Sequence, residues 1–143
     1  MDTEQNKSIL EFTEPVLKRL IFQPSSKSNK ESPKNMNMKI VKDNSQIKEV
    51  GDYHSSNISL TITNLPDNQS KIEEQPFIIV ISMTAKFKWP KDTPEEVENS
   101  FIKINGPSLI LSYIRPVVSS VTGLSEFNTQ NVPFIDFTNT IDD

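Results

Sequence analysis

The chain has 143 residues, a mass of 16.3 kDa and a formal net charge of −4, which is the size of one ordinary domain. Because it contains no cysteine, a disulfide framework, a thiolate nucleophile and a cysteine-ligated zinc site are excluded. The N-terminus lacks a basic stretch followed by an apolar run, and no later apolar run is long enough to cross a bilayer, so we expect a cytoplasmic protein without membrane insertion.

The first half of the chain is typical of strands and loops. Leu10 to Gln23 is periodically apolar, and Pro15 inside it favours a long, bent strand over a helix. Residues 24–35 are rich in Ser, Pro and Lys and predict an exposed loop. Met36, Met38 and Ile40 then alternate with polar residues, which predicts a second strand with one apolar face.

Two further strands are predicted after a turn at Asp43-Asn44-Ser45. The strict alternation over residues 58–63 indicates a third strand with one buried face. Residues 77–89 are apolar at first and alternate later, which is typical of a long inner strand, and Pro90 ends it.

The period then changes to that of a helix. Thr93 as N-cap, Pro94 and the following glutamates predict a helix over about 94–105, with Asn105-Gly106 as its end. Pro107 opens a second predicted helix that runs to Gly123. Residues 124–143 show no helical period and predict extended chain.

The second predicted helix is apolar almost all round, with Arg115 as its only charge. A helix with two apolar sides needs a cover on each, and in a chain of this length we expect another subunit to supply the second cover. The residues expected at the oligomer interface are Leu111, Ile114, Val118 and Val121.

Motifs for catalysis are absent from the sequence. The single histidine, His54, is predicted to lie at the surface, there is no Gly-x-Ser-x-Gly elbow, and three glycines form no phosphate-binding loop. Carboxylates at 73–74 and 95–98 lack the spacing of a metal site, and the lysines of residues 16–48 lack the interleaved aromatics of a nucleic-acid surface. We therefore expect no enzyme activity, cofactor, metal or nucleic-acid partner. The rival is a small hotdog-like enzyme using His54 with Asp52 or Glu49 at a subunit cleft.

Several apolar residues have no catalytic purpose, and two explanations remain open for them. Methionines and aromatics suit a groove that binds varied peptides, and they also fill ordinary cores. The candidate peptide-binding residues are Met36, Met38, Ile40, Trp89, Phe134 and Phe137.

The C-terminal third contains an ordered set of residues: Tyr113 and Arg115, then Ser119 and Ser120, and then the segment Val132-Pro133-Phe134-Ile135-Asp136-Phe137. In this order they resemble the long helix and the following segment of the SecB family of export chaperones. The resemblance implies an α+β fold over 1–143, in which a four-stranded antiparallel sheet packs with a long helix. It also implies an ATP-independent holdase that binds unfolded polypeptides, functions in protein export and assembles as a dimer of dimers. In that family, clients lie beside the second strand and the segment after the long helix.

Two departures from the family bear on partners. Only residues 138–143 follow Phe137, where relatives continue into a last helix, so one groove wall is expected to be missing. Residues 18–23 begin with Lys18 and Arg19 where acidic residues that help contact the SecA motor are expected, which argues against SecA as a partner. Some relatives serve antitoxins, so a chaperone or scaffold dedicated to one such partner is an alternative.

Overall fold

The computed structural model describes residues 9–25 and 36–140. The predictions for the N-terminus, for residues 26–35 of the loop and for residues 141–143 of the tail lie outside this part of the chain.

The described residues form an antiparallel sheet of six strands with one long helical segment. The strands are β1 (Glu11–Phe12), β2 (Val16–Pro24), β3 (Lys39–Asn44), β4 (Lys48–Val50), β5 (Tyr53–Thr63) and β6 (Phe77–Pro90). β5 and β6 pair in the centre, β1 and β2 pair with β6 along one edge, and β3 and β4 pair with β5 along the other. The predicted α+β fold is confirmed. The sheet has six strands instead of the predicted four, because each of the two edge strands is divided into two.

The first edge is divided at Pro15. This proline is buried between β1 and β2, and it has no amide hydrogen for the ladder. A register shift between Leu17 and Arg19 adds a bulge to β2. The single bent strand predicted here is thus two strands, a short β1 and a longer β2, that pair with the same neighbour.

The second edge is divided at Ser45. Its backbone N–H donates to the Asn57 carbonyl at 2.9 Å, its Oγ accepts from the Asn57 N–H at 2.9 Å, and its carbonyl accepts from Ser56 Oγ at 2.9 Å. These bonds hold the edge against β5 where the ladder is interrupted. The predicted turn at residues 43–45 is therefore the junction between β3 and an unpredicted β4, and β3 begins at Lys39 rather than at Met36.

The helical segment is continuous, contrary to the predicted end at Asn105-Gly106. α1 (Glu95–Ser100) passes through one π turn (Phe101–Asn105) into α2 (Gly106–Gly123), and both Asn105 and Gly106 have right-handed helical angles. Pro107 would clash with the carbonyl four residues back in a regular helix, and it offers no amide hydrogen. The wider π turn, in which the Gly106 N–H donates to the Phe101 carbonyl five residues back, accommodates it.

The start of α1 also differs from the prediction. Pro94, not Thr93, is the N-cap, and its carbonyl accepts from the backbone N–H groups of Val97 and Glu98 at 3.0 Å each. The Thr93 hydroxyl is buried and has no hydrogen-bond partner within the described chain. Proline at the cap position supplies the extended angle from which the helix starts, and no side-chain hydrogen bond caps this helix.

One stripe of α2 packs against the centre of the sheet. Ile110, Ile114 and Val118 are fully buried, and they face the apolar inner sides of β5 and β6. Leu111 is buried with them, so the assignment of Leu111, Ile114 and Val118 to an oligomer interface is wrong. They recur at three- and four-residue spacing, which places them on the one helix face that this chain covers itself.

Residues 124–136 after α2 contain no strand or helix, as predicted, whereas residues 137–140, also predicted as extended chain, form a short 3-10 helix (Phe137–Thr140). None of the helices in the described ranges has the length and apolarity needed to span a membrane.

Gly106 lets the helix approach the sheet closely. A Cβ atom here would collide with Ile58 Cδ1 and lie 2.9 Å from the Phe101 carbonyl oxygen. Alanine is normally the better helix former by about 1 kcal/mol. At this position we expect the reverse, because the carbonyl belongs to the helix backbone and cannot move away cheaply.

We predict that Gly106→Ala lowers the free energy of unfolding by about 1–3 kcal/mol, the usual cost of overpacking. Urea denaturation followed by circular dichroism measures this. Gly123→Ala is the matched control, because its Cβ meets only the side chain of Thr129 at 3.3 Å and its stability should change by less than about 0.5 kcal/mol. Equal stability of both variants would contradict the close-approach explanation.

Candidate functional site

Two adjoining cavities follow the β3 edge of the sheet, and we call them together the β3 groove. The larger has a volume of about 660 Å³ and the smaller about 420 Å³. Ile40 and Ile135 line both, so the cavities are neighbours that share a wall. Volumes of this size are typical of ligand sites.

The larger cavity lies between β3, the connection to β4 and the π turn. Its apolar lining residues come from parts of the chain that are distant in sequence: Ile40, Val41, Ile47, Ile58, Ile102, Ile135 and Phe137. Polar and charged residues line the same cavity: Lys42, Asp43, Asn44, Ser45, Gln46, Asn99 and Lys103. The Lys42 ammonium lies 5.5 Å from the Phe137 ring centroid, within cation–π distance.

The smaller cavity lies between the residues that lead into β3 and the segment after α2. One wall is Met36, Met38 and Ile40. The other wall runs from Gln130 to Ile135. The flexible thioethers of two methionines give this cavity an adaptable apolar surface.

The predicted peptide-binding residues fall into three groups. Met36, Met38 and Ile40 are half-buried and line the groove, and Phe137 is buried at the wall of the larger cavity. Phe134 is 85% exposed and lines neither cavity; its ring lies 4.0 Å from the Arg115 guanidinium carbon. The structure thus brings four of the six predicted residues together in one groove.

The structure corrects the prediction that Trp89 binds peptide. Its side chain has no exposed surface, its ring packs on Phe101, and its indole Nε1–H donates to Glu98 Oε1 at 2.7 Å. A residue at the inner face of β6 beneath the start of the helix has no surface to offer a peptide. Trp89 belongs to the core.

Sequence reasoning did not single out Ile102, Gln130, Val132 and Ile135, which also line the groove. The segment 124–136 has no periodic pattern that tells inward from outward side chains. Among its apolar residues the more conspicuous Phe134 points outward, whereas Ile135 is half-buried.

A buried carboxylate ties the start of the helix to the sheet. Glu98 accepts hydrogen bonds from Trp89 Nε1 and from His54 Nδ1, which must carry a proton because an ionised carboxylate only accepts. Burial raises the pKa of Glu98, but the His54 and Trp89 hydrogen bonds and the His54 charge outweigh it, and the pKa lies below its ordinary value.

This cluster also corrects the setting of His54, which was predicted at the surface. The ring is half-buried, and its carboxylate partner is Glu98 rather than Asp52 or Glu49. Glu49 pairs instead with Lys91 at 3.7 Å. Within the described ranges, no group of three or more His, Asp or Glu side chains is arranged to hold a metal ion.

Comparison with known proteins supports the fold and leaves the sequence family open. No family model matches the chain, and no curated protein matches its sequence. The solved structure of the Mycobacterium tuberculosis Rv1957 SecB-like chaperone in complex with a ChAD peptide from the Rv1956 HigA1 antitoxin is similar to this chain, with a TM-score of 0.53 and 14% identity. The match covers 88% of this chain and 90% of that one.

A protein of unknown function from Streptococcus agalactiae is similar to the same degree. Its TM-score is 0.53 at 14% identity, over 87% of this chain and 97% of that one. The chain therefore has the fold of a SecB-like chaperone.

We predict that Glu98→Ala lowers the free energy of unfolding at neutral pH by about 1–3 kcal/mol, because the buried Trp89 N–H loses its acceptor. Urea denaturation monitored by Trp89 fluorescence measures the loss. The matched control is Glu95→Ala, an exposed residue of the same helix, which should change stability by less than about 0.5 kcal/mol.

The Glu98 carboxylate also makes a contribution to folding stability that is lost in acid. Because the pKa of Glu98 is lowered on folding, its stabilisation is present above about pH 4.5, the ordinary value, and is lost as the pH falls through the folded value. The stability difference between wild type and Glu98→Ala should therefore shrink as the pH falls from about 7 towards 3. A difference that stays constant with pH would contradict an ionised Glu98.

Proposed function

We propose that the protein is an ATP-independent holdase chaperone that binds extended, unfolded polypeptide segments in the β3 groove. The observation that carries the proposal is the groove itself: two adjoining apolar cavities at an edge of the sheet, on the fold of a SecB-like chaperone. An extended segment places alternate side chains on one side, and in this proposal such side chains enter the two neighbouring cavities.

Apolar burial is the driving force of binding in this proposal. Each square ångström of apolar surface removed from water contributes about 25 cal/mol, without nucleotide or covalent chemistry. In this proposal the polar side chains that line the larger cavity orient the peptide backbone and do not select one sequence.

Two ranges of client are consistent with this groove. A general holdase, including one that serves protein export, accepts many unfolded segments. A chaperone dedicated to one partner accepts few, and the similar chaperone structure holds a peptide from an antitoxin. β2 presents exposed Lys18 and Arg19, so docking to SecA through acidic residues there is not part of the proposal. An assay with several unrelated denatured clients distinguishes the two alternatives, because a general holdase binds many of them and a dedicated chaperone binds few.

We also propose self-association through a surface that keeps Val121 of the four predicted interface residues and adds residues of β1, β2 and α2 that were not predicted. Phe12, Leu17 and Leu20 pair with the inner-face residues Phe87, Met83 and Ile81, so their side chains lie on the helix side of the sheet. They are nevertheless 45%, 49% and 43% exposed, because α2 packs over β5 and β6. An uncovered apolar surface of this kind is typical of a subunit interface.

One flank of α2 extends this surface. Arg115 contacts the segment at Val132 and Phe134, so its flank of the helix faces the β3 side. The opposite flank carries half-buried Tyr113, Val117 and Val121 at four-residue spacing. We propose that a second copy of the chain covers this flank together with the exposed Phe12, Leu17 and Leu20. This contact gives at least a dimer, and association of two dimers gives a tetramer.

A catalytic role for His54 has little geometric support. Its Nδ1 is directed at a carboxylate that also holds the core residue Trp89, so the pair connects elements of the fold. We propose no enzyme activity.

Suppression of aggregation of a chemically denatured client tests the chaperone function. We predict that wild type suppresses aggregation without nucleotide, and that Met38→Gln with Ile135→Asn raises the concentration needed about tenfold, as expected for losing roughly 1.4 kcal/mol of apolar contact. Val50→Thr with Leu124→Gln is the control, because these exposed residues lie outside the groove. No suppression by wild type rejects the chaperone function, and equal effects of both double variants reject the groove.

Sedimentation equilibrium tests the interface. We predict that Val117→Lys shifts the protein towards monomer with unchanged helical circular dichroism, because an unpaired charge in an apolar interface is costly. Ser108→Lys, an exposed position on the other flank, should leave the assembly intact. A wild-type monomer at micromolar concentration would rule out the interface.

A further inference from the structure

The segment after α2 contains a buried polar side chain, Gln130. This residue is only 2% exposed. Its backbone N–H donates to Thr122 Oγ1 at 2.8 Å, and the same hydroxyl donates to the Val118 carbonyl at 2.8 Å. Gln130 is thereby fixed on the last turn of α2 by its own backbone.

The side chain of Gln130 points the other way, across the smaller cavity. Its Oε1 accepts the backbone N–H of Met36 at 2.9 Å, a residue 94 positions away in sequence. Its Nε2 lies 3.3 Å from the Asn128 carbonyl and donates to it, which fixes the orientation of the amide. One side chain therefore joins the two walls of this cavity.

The two walls are held unequally. The wall after α2 is attached to the helix at Thr122, and again where Arg115 Nε donates to the Val132 carbonyl at 2.8 Å. Residues 36–38 of the opposite wall precede the β3 ladder, which begins at Lys39. The Gln130 bond ties the start of this wall, at Met36, to the wall after α2.

We propose that Gln130 is a positioning residue that sets the width of the smaller cavity, and so determines which client side chains it accepts. This inference rests on the proposed chaperone function. A cavity lined by Met36, Met38 and Val132 takes large aliphatic side chains when its walls are held at a fixed distance, and it loses that discrimination when one wall moves freely. The client favoured by wild type is an extended segment with alternating large aliphatic residues.

Two synthetic peptides test the inference: one alternates Leu with Ser and Thr, and the other has Ala at every Leu position. Affinities are measured by fluorescence anisotropy for wild type and three variants. Gln130→Met keeps the length of the side chain with only the weak acceptor of a thioether, and Gln130→Glu keeps an acceptor oxygen. Thr129→Met adds the same side chain at an exposed control position.

We expect wild type and Thr129→Met to prefer the Leu peptide, Gln130→Met to lose most of that preference, about tenfold, and Gln130→Glu to recover it at least in part. A purely structural role would lower stability and leave the ratio of the two affinities unchanged, which would overturn the proposal. If wild type binds neither peptide, the chaperone function and this inference both fall; if wild type discriminates and Gln130→Met discriminates equally, only this inference falls.

Hydrogen exchange of the Met36 amide in wild type gives a second measurement, which does not depend on whether a variant folds. We expect this amide to exchange more slowly than an unbonded amide, and more slowly again with the Leu peptide bound. Exchange at the rate of an unstructured peptide would overturn the proposal.

Discussion

The close contact between the helix and the two central strands determines the rest of the structure. Ile110, Ile114 and Val118 are buried completely against the inner face of β5 and β6, and Gly106 brings the helix backbone up to Ile58. This approach is available because the π turn relieves Pro107 without ending the helix. A single helix over the centre of a sheet leaves both edges of its inner face without a cover.

The two edges of the inner face are covered to different extents. At the β3 edge the segment after α2 turns back, and Val132, Ile135 and Phe137 partly fill the space beside the strand, leaving two cavities. At the other edge Phe22 packs on Phe77 and Phe127, but farther along the inner face of β1 and β2 stays open. The first edge therefore offers pockets with a defined shape, which suit a peptide, and the second offers a broad surface, which suits another subunit.

Local pattern predicted the strands well, because a buried face imposes an alternation that can be counted directly. Continuity of the helix could not be predicted, since Asn105-Gly106 is a common helix end and its real role depends on Ile58, far away in sequence. The prediction that Leu111, Ile114 and Val118 lie at an oligomer interface was wrong for a related reason. Both Ile114 and Val117 are apolar, and composition does not tell which stripe of an apolar helix its own sheet covers. Trp89 and Glu98 likewise find each other only in the folded chain.

The groove shows why part of a site escapes sequence reasoning. Met36, Met38 and Ile40 could be predicted because they alternate, whereas the facing wall has no period and owes its position to hydrogen bonds. Apolar contacts are nondirectional and tolerate sliding, so they cannot alone fix a cavity that must stay open. Directional hydrogen bonds at the border of the cavity can fix its shape. Here they come from Thr122 and Arg115 of the mainly apolar helix α2 and from Gln130 of the segment after it. Polar residues in such a setting mark where a protein needs a defined position rather than added stability.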